Sequence, residues 1–164
     1  MMFGAGAAIA SVINSYSYKS KQSIIKYTPD PSYSSAKLPA DKQKIIDTVE
    51  NELADDNRIQ SERICPECRN KFSLIKVNDM FFDACHLCHS IWFDFGELKN
   101  LTGLQDDIPA NNLKEKLSEY KCPVCSDLMN KKIFLQKSNL IVDICIKHGI
   151  YLEKGELKRA FELC

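Results

Sequence analysis

The 164-residue sequence has no excess of either charge: 22 Lys and Arg stand against 22 Asp and Glu, for a formal net charge of zero. That removes the strongly basic surface by which a nucleic-acid binder is most simply recognised, though a local patch stays open. By pattern, no secretory leader is expected. No Lys or Arg precedes the apolar start, Met1 to Ile13, where a signal peptide carries a basic region. The same stretch is shorter than the ~20 apolar residues of a membrane span. There is also no phosphate-binding loop and no nucleophile–base pattern, so catalysis is not expected. Cysteine, by contrast, is plentiful, with eight in the chain. Without a leader the expected compartment is the reducing cytoplasm, where paired cysteines are metal ligands more often than disulfides.

Six segments follow from composition and periodicity. In residues 1–18, Ile9, Val12, Ile13 and Tyr16 recur at helical spacing. This start is read either as an anchor, inserted in a partner or lying on a membrane without spanning it, or as a helix packed on its own domain. Residues 19–39 hold Pro29, Pro31 and Pro39 and read as an extended arm. Residues 40–60 read as an amphipathic helix with Ile45, Ile46, Val49 and Leu53 in its stripe. A repeat then occupies 61–104 and 121–164. The link 105–120 is expected to be helical, with Pro109 near its start and Leu113, Leu117 and Tyr120 on one face.

The repeat carries the chemistry. Unit one reads Cys65-Pro-Glu-Cys68, sixteen residues, then Cys85-His-Leu-Cys88. Unit two reads Cys122-Pro-Val-Cys125, nineteen residues, then Cys145-Ile-Lys-His148. Two such turns joined by a hairpin can close a tetrahedron around one zinc ion, from four thiolates or from three thiolates and an imidazole. Two structural zinc ions per chain are therefore expected. His86 and His89 read as solvated, and Cys164 as a free terminal thiol.

The match runs past the ligands. Asp83 and Asp143 each precede the third ligand by two residues, and Trp92-Phe-Asp-Phe-Gly-Glu-Leu98 parallels Tyr151-Leu-Glu-Lys-Gly-Glu-Leu157. The spacing from the last ligand to the aromatic is one residue shorter in unit two, where the ligand is His148. This whole pattern resembles the transcription-factor-IIB-type zinc-finger (zf-TFIIB) family. The resemblance covers both units. It places the ligands on Cys65, Cys68, Cys85 and Cys88, and on Cys122, Cys125, Cys145 and His148. It also equates Trp92 with Tyr151 and Asp94 with Glu153, and finds the knuckle glycine only at Gly149.

The expected fold is small, α+β and metal-stabilised: two tandem β-hairpin ribbons with short following helices, after an N-terminal helical and extended region. Glu97 and Glu156 would open those helices, favourably placed for the helix dipole. The expected function is that of a structural adaptor, its ribbons presenting surfaces to a protein partner in a larger assembly. The alternative is nucleic-acid binding in transcription, supported by the eight basic against five acidic side chains of residues 121–164. Two CxxC knuckles would also suit the iron of a rubredoxin, but the histidine of unit two argues for zinc.

Overall fold

The structure is a computed structural model and describes residues 38–104, 111–135 and 138–164. The segment 1–18, nearly all of the arm 19–39, and Pro109 lie outside the described residues. The first element is helix α1, Ala40–Ala54. Pro39 precedes it, where a missing amide costs nothing, and Asp41 complements the dipole in the first turn. Ile46, Val49 and Leu53 are its buried stripe. The expected helix over 40–60 ends early. Asp55 turns extended, and the Arg58 guanidinium caps the Leu53 carbonyl at 3.0 Å.

Eight strands follow. Unit one supplies β1 (Ile59–Ile64), β2 (Lys71–Val77), β3 (Met80–Ala84) and β4 (Ile91–Asp94), then helix α2 (Glu97–Thr102). Unit two supplies β5 (Asn111–Lys121), β6 (Leu128–Ile133), β7 (Ile141–Cys145) and β8 (Gly149–Leu152), then helix α3 (Glu156–Leu163). The helix expected across 105–120 is thus corrected: from Asn111 onward the chain is a strand paired antiparallel with β6. Leu117 is exposed while Ser118 is buried, an inside–outside alternation that a search for apolar spacing passes over.

The two units do not stand apart as separate ribbons. They fuse into one antiparallel sheet of order β1-β2-β3-β4-β8-β7-β6-β5. The seam is β4 against β8, where Trp92 lies opposite Tyr151, with Ile91 opposite Leu152 and Phe93 opposite Ile150. Equivalent residues of the repeat therefore meet across a local two-fold axis. Gly149 makes the approach possible, since a Cβ there would stand 2.0 Å from the Phe93 carbonyl oxygen.

Each face of the sheet has its own core. Ile75, Phe82, Phe93, Val142, Ile144 and Ile150 pack beneath the buried residues of α1, α2 and α3. Phe82 and Phe93 meet there at 4.9 Å between ring centroids. The opposite face gathers Phe72, Trp92, Met129 and Tyr151 with four of the cysteines in a second buried cluster. Among the described residues, no helix is long and apolar enough to cross a membrane.

Candidate metal centre

Each ligand sits in a tight turn whose backbone bonds are local. At the first knuckle the amide of Cys65 donates to the Asn70 carbonyl at 2.8 Å and the amide of Arg69 to the Cys65 carbonyl at 3.0 Å. The same pair of bonds recurs at Cys85, with Ser90 and His89, and at Cys122, with Asp127 and Ser126. The residue after the second cysteine is left-handed in all three: Arg69 at φ 65°, His89 at 58° and Ser126 at 64°. So His89 takes a conformation that glycine would adopt without strain. The fourth knuckle is tighter. His148 donates its amide to the Cys145 carbonyl at 3.1 Å, and Gly149 already pairs with Cys145 in the sheet. This is the structural origin of the one-residue shortening before Tyr151.

The turns bring the side chains together. Cys65, Cys68, Cys85 and Cys88 form one group, and Cys122, Cys125, Cys145 and His148 another, with all ligand atoms of a group within 4.8 Å of one another. In the first, sulfur separations are 3.4 Å for Cys65–Cys88, 3.3 Å for Cys68–Cys85 and 3.8 Å for Cys68–Cys88. In the second, Cys125 and Cys145 are 3.8 Å apart. The Nδ1 of His148 lies 3.7 Å from the Cys122 sulfur and 3.3 Å from that of Cys145. A zinc ion with bonds of about 2.3 Å to a tetrahedron of sulfurs requires edges of about 3.8 Å. Both groups fit it.

The surroundings suit thiolates. The Val124 amide points at the Cys122 sulfur at 3.4 Å, and the Ser90 hydroxyl lies 3.4 Å from Cys65 Sγ and 3.1 Å from Cys88 Sγ. Burial raises the thiols of Cys85 and Cys88, and that of Cys122 to about 12. Burial acts in the same sense at Cys68, but the Asn70 amide and neighbouring side chains outweigh it and bring that thiol down to about 7. A cation that replaces these protons relieves the cost of burying the sulfurs as anions.

Beside each group lie the carboxylates of the repeat. Arg63 clamps Asp83 at 2.8 Å and Asp94 at 2.9 Å, and Asp94 also accepts from the Trp92 indole at 2.9 Å. In unit two, Tyr120 takes the place of Arg63, and Lys131 stands near Asp143 at 3.8 Å. Glu97 and Glu156 accept the amides of Asp94 and Glu153, at 2.8 and 3.0 Å, and so tie each helix to the strand before it. Burial raises Glu97 to about 7 and Glu156 to about 8, and neighbouring carboxylates add to both.

Residues 64–102 match the zinc-ribbon family described as transcription factor zinc-finger. Unit one is a zinc ribbon of that family. No curated protein and no solved structure matches the chain. The second group, in unit two, is compatible with a second zinc ion, and the two groups together fit two zinc ions per chain. Neither spare histidine joins ribbon one's site. His89 is exposed, whereas His86 is half-buried with its Nδ1 enclosed and without a hydrogen bond, so it is less solvated than the sequence suggests. Cys164 lies outside both sites, its sulfur turned to the Ala160 carbonyl at 3.0 Å. Sequence reasoning missed Ser90 and the clamp by Arg63. A Ser two residues past Cys88 and an Arg two residues before Cys65 carry no signal until the strands are paired.

Proposed function

We propose that this chain is a zinc-stabilised adaptor, without catalytic activity of its own, whose ribbons present surfaces to a protein partner in a larger cytoplasmic assembly. The observation that carries this reading is the apolar dressing of the knuckles. Leu87, Val124 and Ile146 are exposed, Ile146 at 70%, and each lies between two ligands of a zinc site. A rigid turn that displays an aliphatic side chain supports protein docking, because little entropy is lost on contact. Two further points support it. Four protein ligands close each site and leave no position for a substrate. Basic residues of ribbon two have carboxylate neighbours: Lys147 pairs with Asp127 at 3.2 Å, and Lys131 faces Asp143.

The test is capture of complexes by the full chain, compared with Val124→Glu and Ile146→Glu. The reading expects a stoichiometric protein that both variants lose while keeping two zinc ions. Capture of nucleic acid that falls away steeply with salt would instead favour the transcription reading.

A further inference from the structure

Zinc site one has neighbours that its own repeat does not supply. The phenol of Tyr151, on β8, donates to Glu67 Oε2 at 3.2 Å. Glu67 stands inside the first knuckle of ribbon one, between Cys65 and Cys68. The sulfurs of Cys65 and Cys88 share a further neighbour in Ser90. Ser90 is fully buried, and its Oγ touches both of those sulfurs. Tyr120 holds the Tyr151 ring from the side, edge to face at 5.1 Å between centroids. A backbone link crosses the other way: the Phe95 amide of ribbon one donates to the carbonyl of the ligand His148 at 3.2 Å.

We propose that Tyr151 of ribbon two is an outer-sphere positioning residue for zinc site one, holding the first knuckle in place through Glu67. Site one then reaches its full affinity only when ribbon two is folded against it. Four thiolates on a divalent ion leave net negative charge on the sulfurs, and a fixed hydroxyl donor draws part of it off. Ser90 supplies that donor from within ribbon one, while Tyr151 fixes the knuckle that carries Cys65 and Cys68 through Glu67. The inference rests on the zinc reading of both sites.

Cobalt(II) titration of the metal-stripped full chain tests it, because a four-sulfur site and a three-sulfur, one-nitrogen site give different ligand-field bands. Tyr151→Phe keeps the ring and loses the hydroxyl. It should weaken cobalt binding at site one about 10–100-fold. The site-two bands and the emission of Trp92 should not change. Glu67→Ala should give a similar loss, Glu67→Gln should restore most of it, and the double variant Tyr151→Phe, Glu67→Ala should lose no more than either single. Wild-type affinity at site one in Tyr151→Phe overturns the proposal, and so does equal weakening of both sites, which would mark a loosened fold. Should Tyr151→Phe fail to fold, the Glu67 pair decides alone. If the wild-type chain binds no cobalt at either site, the zinc reading itself is at fault.

Discussion

The two ribbons solve one problem with different residues. Each folds as four strands and a short helix, and each buries an Asp two residues before its third ligand: Asp83 in one, Asp143 in the other. Ribbon one meets its carboxylates with a guanidinium that reaches Asp83 and Asp94 together. Ribbon two has a phenol at that position, and burial raises Asp143, Glu153 and Glu156 above their ordinary values, as it does Glu97 of ribbon one. The comparison teaches that the metal and the hairpin set the fold, while the residue that faces the carboxylate row can be a guanidinium or a phenol.

The comparison can be broken most severely at the metal. Cys65→Ser should lower zinc from two to one per chain and unfold β1 to β4, since structural zinc supplies roughly 10–16 kcal/mol of folding free energy. His148→Ala should remove the other ion. Metal analysis with amide chemical shifts of Lys71 to Ala84 checks both. Native hairpin shifts in Cys65→Ser would refute the claim that zinc holds β1 to β4 together.

Next comes the seam. Gly149→Ala places a methyl group against the Phe93 carbonyl and the Trp92 ring. The expected loss is about 3 kcal/mol, the upper end for overpacking. Denaturant titration followed by Trp92 emission would measure it, and an unchanged midpoint would mean that the seam gives way cheaply.

A smaller effect separates the two carboxylate rows. Arg63 is 31% exposed, so Arg63→Met should cost about 1–3 kcal/mol, discounted from the fully buried case. Lys131→Met, which loses a 3.8 Å contact, should cost about 1 kcal/mol or less. Equal costs would erase the distinction.

The smallest effect is in pH. The folded pKa of Glu156, about 8, lies above its unfolded value of 4.5. The folded state therefore binds more protons between those values. The stability this group contributes is complete below about 4.5 and is lost as pH rises through about 8. Zinc binding runs in the opposite sense, so the measurement is a difference. The stability of wild type minus that of Glu156→Gln should fall as pH rises from 5 to about 9. A flat difference would show Glu156 ionised throughout.

Much of the site was legible in the sequence. Ligand spacing is a local property, and four tight turns translate it directly into geometry. The strands before Cys85 and Cys145 and the helices opened by Gly96 and Gly155 are equally local. The seam was not legible, because pairing of Ile91–Asp94 with Gly149–Leu152 depends on two segments nearly sixty residues apart. Gly149 stood out only as a knuckle residue. Its need for space comes from Phe93, which no pattern around Gly149 reveals. The strand at Asn111 was hidden for a related reason. Leu113, Leu117 and Tyr120 have helical spacing by sequence, but the inward position that matters belongs to Ser118, a polar residue.

The seam between β4 and β8 pairs like with like, Trp92 against Tyr151, and so has the form of an isologous contact between two subunits. Here both subunits are one chain. Tethering supplies the second half at an effective concentration on the order of millimolar, so the contact holds at any dilution of the protein. It also frees the halves from identity. A symmetric dimer must change both sides of its axis at once, whereas this chain can hold a tryptophan on one side and a tyrosine on the other.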